Sequence, residues 1–195
     1  MKKLANILTL VLALGFAQTL SAQTFSIGAG SASHIYVSDD HSVAVEPGLS
    51  LDFEAGFPIT DLFTIGTGAS LTGVYGYHFG GNEAKNIGEI FLDIPVRAKF
   101  YIPLGSKVSL VPFAGAILST NLVSIDAHAN GTTSNYDIYH DLKRFDVMLG
   151  GGVGVDMFRH VRIELGFDYG LLDRLGDKID SVHRGQLKLT AQYIF

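Results

Sequence analysis

Gly185-Gln-Leu-Lys-Leu-Thr-Ala-Gln-Tyr-Ile-Phe195 closes the sequence with a period of two: Leu187, Leu189, Ala191, Tyr193 and Phe195 alternate with Gln186, Lys188, Thr190 and Gln192. Successive side chains of a strand point to opposite faces of a sheet, so this segment is a strand with one apolar face. The chain then stops on an aromatic ring. A last strand that presents Tyr193 and Phe195 outward suits a barrel standing in a bilayer, where aromatic girdles mark the two interfaces.

The same alternation recurs upstream. Thr24 to Ser33 reads as a first strand, and Val45, Leu49, Leu51, Phe53 and Phe57 alternate with Glu46, Ser50, Asp52, Glu54 and Gly56 in a second. In the third, Phe63, Ile65, Leu71, Tyr75 and Phe79 oppose Thr64, Gly66, Gly68 and His78; in the fourth, Ile90, Ile94, Val96 and Phe100 oppose Glu89, Asp93, Arg97 and Lys99. Lys107 to Asn121 forms a fifth strand whose faces stay open, because both parities are apolar. The sixth sets Phe145, Val147, Leu149 and Val153 against Arg144, Asp146, Gly150, Gly152, Gly154 and Asp156; the seventh sets Ile163, Leu165, Phe167 and Tyr169 against Arg162, Glu164 and Asp168. An unbroken apolar row with charges on the opposite face is the pattern of a transmembrane barrel strand.

Tight turns near Pro58, Pro103 and Arg159 alternate with longer polar connections near Asp40, Gly81, Asn130 and Asp177. The fold expected is all-β: a transmembrane, antiparallel, up-and-down β-barrel of about eight strands. In such barrels the short turns are periplasmic and the long loops extracellular, which puts both termini on the periplasmic side. The start of the chain agrees. Met1-Lys2-Lys3, the apolar run Leu4 to Phe16 and the small-residue site Leu20-Ser21-Ala22 read as a secretory signal peptide at 1–22. Residues 23–195 then form one barrel domain.

An eight-stranded barrel is just wide enough for side chains to fill it. The inward set, Asp52, Glu54, Asp93, Arg97, Lys99, Arg144, Asp146, Asp156, Arg162, Glu164, Asp168 and Lys188, carries both signs. Buried charges are costly unless paired and hydrogen-bonded, so this set predicts a salt-bridged interior in place of a pore. Inward glycines at 66, 68, 150, 152 and 154 leave space for those long side chains.

Other chemistries find little support. The chain has no cysteine and a formal net charge of −5, so it offers no disulfide, no thiolate metal site and no basic surface for a nucleic acid. His34, His41, Ser42, Glu46, His78, His140 and Asp141 fall at expected strand ends. They would suit a rim acyl-transfer site only at hydrogen-bonding distance, and their spacing matches no motif, so no catalytic, cofactor or metal site is assigned. Asp173, Arg174, Asp177, Lys178, Asp180, His183 and Arg184 read as a solvated charged loop that could touch lipopolysaccharide. A soluble, lipocalin-like barrel would turn the same apolar rows inward, leaving a surface mostly of Gly, Ser and Thr.

Ile90-Phe-Leu-Asp-Ile-Pro-Val-Arg-Ala-Lys-Phe-Tyr101, together with Asp168-Tyr-Gly-Leu-Leu172 and Leu187 to Phe195, resembles the porin-family, PorT-like outer-membrane barrel domains of Bacteroidetes. Gln23 directly after the cleavage site is similarly common there. The resemblance implies a barrel in the outer membrane of a Gram-negative bacterium and transfers no catalytic residue. Lys188, Tyr193 and Phe195 resemble the signal read by the barrel assembly machinery, with Thr190 where Gly is usual. The expected partners are that machinery, outer-membrane lipid and lipopolysaccharide. The expected role is structural or surface interaction; a narrow small-solute channel and a lipid A-modifying enzyme are the alternatives.

Overall fold

The computed structural model describes residues 24–38, 43–80, 83–127, 143–174 and 181–195. The expected signal peptide lies outside them. Eight long strands follow one another: β1 (Thr24–Ser38), β2 (Val43–Thr60), β3 (Phe63–Gly80), β4 (Glu83–Phe100), β5 (Val108–Ala127), β6 (Phe145–Met157), β7 (Val161–Gly170) and β8 (Val182–Ile194). A two-residue piece, Ile102–Pro103, prolongs β4 and pairs with Leu110 and Ser109. Each strand pairs antiparallel with its sequence neighbours, and β1 pairs with β8, so the sheet closes.

The register measures the closure. Starting at Phe25, successive partners are Ala55, Thr67, Val96, Ala116, Leu149, Tyr169 and Gly185, and Gly185 returns to β1 at Ile35, a stagger of ten residues. With about 3.3 Å per residue and about 4.8 Å between strands, that stagger tilts eight strands by about 40°. The result is a barrel too narrow for an open pore unless its inward side chains are small.

Burial alternates along every strand. In β7 the odd residues Val161 to Tyr169 are exposed and the even residues Arg162 to Gly170 are buried. Leu49, Leu51, Phe53, Ile94, Phe100, Leu165, Leu189 and Tyr193 all lie on the outer face, and Phe195 is 70% exposed. The soluble-barrel reading needed such residues inside and is therefore wrong. β5 is the strand whose faces the sequence left open. It sends Val111, Phe113, Ile117, Ser119 and Asn121 inward and leaves Leu118 outward. Apolar residues occupy both parities because this strand supplies much of the hydrophobic part of the interior, beside Val74, Phe91 and Met148 of other strands. At Leu122 a bulge opposite Ile90 and Phe91 shifts the pattern by one residue.

Four strands extend well beyond their expected limits: β1 to Ser38, β4 back to Glu83, β5 to Ala127 and β8 back to Val182. These extensions lie at the end of the barrel away from the tight turns, where polar sequence continues the ladder instead of looping. At the opposite end His160 N–H donates to Met157 O at 3.2 Å, closing a turn in which Phe158 (φ 55°) and Arg159 (φ 67°) are both left-handed. Two left-handed central residues define a type I′ hairpin turn, which favours Asn-Gly. Phe158→Asn combined with Arg159→Gly is expected to raise unfolding free energy by roughly 1–2 kcal/mol, measured by urea titration in lipid vesicles and read by the folded and unfolded gel bands.

Glycine shapes the inner wall next to Phe113. A Cβ on Gly152 would meet Phe113 Cζ at 2.7 Å, besides the Leu165 carbonyl, and one on Gly166 would meet the same atom at 3.1 Å. Phe113 therefore rests the tip of its ring on the bare backbone of β6 and β7. Gly152→Val is expected to displace the ring and cost roughly 1–3 kcal/mol through overpacking, whereas Gly73→Ala, which meets nothing within 4 Å, should be nearly neutral in the same titration.

Candidate functional site: the paired interior of the barrel

Four layers of polar side chains fill the lumen from the turn end upward. In the lowest, Lys99 Nζ lies 2.7 Å from Glu54 and 2.6 Å from Glu164. Arg162 grips Asp156 through Nε and Nη2, at 2.5 and 2.8 Å, and Nη2 also donates to Tyr101 Oη at 2.8 Å. Its Nη1 is 3.6 Å from both Glu54 and Glu164. Gln192 Nε2 donates to the second oxygen of Glu164 at 3.0 Å. Fork-shaped guanidinium pairing of this kind adds direction to charge attraction.

In the next layer Arg97 pairs with Asp168 at 3.1 Å, and Lys188 contacts Asp52 at 2.5 Å and Ser70 at 2.7 Å. Above it Asp93 accepts from Ser119 at 2.5 Å and from Gln186 at 3.2 Å, while Arg184 donates to Ser119 at 2.6 Å. Asp146 accepts from the Leu172 amide at 3.2 Å. In the uppermost layer Glu89 receives Tyr36 at 2.5 Å, Asn121 at 2.7 Å and Arg174 at 3.3 Å.

Two phenyl rings support the cations. Arg97 and Lys99 sit 4.8 and 5.6 Å from the Phe113 centroid. Arg184 and Arg174 sit 4.2 and 5.2 Å from that of Phe91, against whose ring His34 stands edge-on at 4.7 Å. A desolvated cation over an aromatic face gains about 2 kcal/mol, so Phe91 and Phe113 offset part of the cost of burial.

The sequence-derived inward set divides plainly. Asp52, Glu54, Asp93, Arg97, Lys99, Asp146, Asp156, Arg162, Glu164, Asp168 and Lys188 all lie on inward faces, in the contacts above. Arg144 keeps the same parity but stands one residue before β6, where it is exposed and its carbonyl accepts from the Asn121 amide at 2.7 Å. The alternation was read as part of the strand, which begins only at Phe145.

Arg174 and Arg184, read as solvated loop residues, are 4% and 0% exposed. His34 and Glu46, read as rim residues, are buried at 0% and 1%. The signal that could have found Arg184 and His34 is parity, since both continue the inward rows of β8 and β1. Arg174 had no such signal, because it follows β7 outside any alternation. Among the other rim candidates, His41, Ser42, His140 and Asp141 lie outside the described residues, as do Asp177, Lys178 and Asp180 of the last connection. His183 stacks on Tyr169 at 5.6 Å. Among the described residues no group of three or more His, Cys, Asp or Glu could hold a metal ion.

Arg174 acts as a latch across the upper mouth. Its Nη1 donates to Tyr36 Oη at 3.0 Å and its Nη2 to Glu89, joining the connection after β7 to β1 and β4. Burial alone would lower its pKa, but Tyr36 and Glu89 raise it above the ordinary guanidinium value, so the latch stays charged. Its backbone ties in β8 through Arg174 N–H to Val182 O at 2.9 Å and accepts from Lys143 N–H at 3.0 Å.

The family defined as the outer membrane protein β-barrel domain matches residues 7–195 of this sequence. The chain belongs to that family. It is an outer-membrane β-barrel, and the exposed rows of Leu, Ile, Val and Phe meet lipid. Among solved structures it is similar to Ail, the attachment invasion locus protein of Yersinia pestis, in complex with the heparin analogue sucrose octasulfate: 16% identity, 89% of this chain and 99% of that chain covered, TM-score 0.54. It also matches Neisserial surface protein A at 18% identity, covering 87% and 96%, TM-score 0.49, and the outer membrane enzyme PagL at 12%, covering 84% and 97%, TM-score 0.43. No curated protein matches.

Lys99→Met leaves Glu54 and Glu164 facing each other in the interior and is expected to cost roughly 3–5 kcal/mol; adding Glu54→Gln and Glu164→Gln should recover most of it in urea titrations. Arg174→Ala should leave the barrel folded yet speed hydrogen exchange at the Lys143 and Arg174 amides at least roughly tenfold, since these bonds open locally once the latch is gone.

Proposed function

We propose that this protein is a non-conducting barrel of a Gram-negative outer membrane, of the Bacteroidetes type, that serves as a structural and surface-interaction element. Both barrel ends of the chain, Thr24 and Phe195, lie on the periplasmic side, and the strand ends at Ser38, Gly80, Ala127 and Gly170 lie on the outer side of the membrane. Lipopolysaccharide surrounds the outer half, and the barrel assembly machinery reads Lys188, Tyr193 and Phe195 during insertion. Support comes from the interior: the layer of Asp52, Arg97, Asp168 and Lys188 leaves voids of about 20 Å³, each room for about one water. An ion would have to break two salt bridges to pass.

The test is conductance of the refolded protein in planar bilayers. No steady unit steps are expected; uniform steps that vanish in Gly152→Val would overturn the reading in favour of a narrow channel. The lipid-modifying alternative loses His34, which is buried beside Phe91 and out of reach of an acyl chain at the rim. Lipid A from cells overproducing the protein should be unchanged in mass.

A further inference from the structure

We propose that the turn end of the lumen is a binding site for a small polyhydroxylated solute of the saccharide class. A cavity of about 510 Å³ opens there, inside the roughly 300–1,000 Å³ of typical small-ligand pockets. Its floor is the lowest polar layer, where Arg162 is 4% exposed and held by Asp156. Above the floor stand Thr24, Thr64, Ser106 and Ser109, whose hydroxyls make no hydrogen bond among the described residues, and Tyr101, whose oxygen accepts from Arg162 and keeps its own proton to donate.

This compartment differs from the rest of the interior. In the two layers above the turn end the cations Lys99, Arg162, Arg97 and Lys188 face carboxylates of the barrel itself. Higher up Arg184, His34 and Gln186 keep polar atoms that have no partner among the described residues but are fully buried and so closed to a guest. Here the hydroxyls are free, and at the rim Asp61, Lys107 and Arg159 make no ion pair among the described residues. Together with Arg162, Glu54 and Asp156 in the floor, the lining carries three charges of each sign, so it favours neither an anion nor a cation. Ile59, Val108 and Ile194 supply apolar wall between the hydroxyls. A saccharide matches that mixture, because it carries hydroxyls around its edge and C–H groups on its faces. A purely apolar guest would strand the hydroxyls, and an ion would gain nothing from balanced charge.

The experiment is a titration of the isotope-labelled mature barrel in lipid nanodiscs with cellobiose, a neutral disaccharide, followed by amide and side-chain shifts. Saturable shifts are expected at Thr64, Tyr101 and Ser109 with a midpoint on the order of 1 mM, and none at Glu89 near the other mouth. Thr64→Val with Ser109→Val, which keeps strand-forming residues, should weaken the midpoint roughly tenfold while the heat-modifiable gel shift is retained. If that pair of substitutions fails to give the shift, Ser106→Ala in the connecting turn reads the same loss more weakly. Shifts that rise linearly to 100 mM, that are unchanged in the variants, or that glycerol reproduces at equal hydroxyl concentration would each overturn the proposal and leave a merely hydrated mouth.

Discussion

A bilayer core offers a backbone amide no partner, so a sheet can stand in it only if its two edges pair with each other. Here that pairing is β1 with β8, from Ser26 opposite Ile194 to Ser38 opposite Val182. The stagger at which the edges meet sets the tilt, the tilt sets the width, and the width decides what the interior can hold. With eight strands and a ten-residue stagger the two inner walls approach closely enough for Lys99 of β4 to touch Glu164 of β7 across the lumen. The paired interior is thus a consequence of closure.

That geometry explains why both charge and glycine are needed. Lipid takes every apolar side chain of the outer rows, which leaves the inner rows to be filled by what remains. A charge in that space costs several kcal/mol unless compensated. The layers meet this cost with carboxylates, hydroxyls and two phenyl rings. Where Phe113 enters, Gly152 and Gly166 let it lie against backbone. A larger residue at either place would push the ring toward Arg97 and Lys99 and disturb the pairs beside it.

The two ends of the lumen are finished differently. At the upper mouth Arg174 comes in from a connecting segment and ties three parts of the wall together. At the turn end the strands stop on short hairpins, none of the described residues folds back over the lumen, and a chamber lined by hydroxyls opens. The same paired layers lie between them.

Strand number, the face of nearly every residue, the membrane setting and most of the inward charges were legible in the chain itself, because a period of two is a local property that each segment states independently. Arg144 shows the limit: alternation does not say where a strand ends. β5 shows another, since apolar residues on both parities, Val111, Phe113 and Ile117 among them, leave its faces open until the partner strands are known. Arg174 and Arg184 show the third. A polar residue near a strand end is equally at home in a loop or in a polar lumen, and only the closed barrel, which brings Glu89, Tyr36 and Ser119 to meet them, decides between the two. The sequence by itself determined that one face of each strand is for lipid and the other is not. Tertiary structure alone decided which inward groups pair, because partners such as Lys99 and Glu164, or Tyr36 and Arg174, are far apart in the chain and meet only at the register that closure selects.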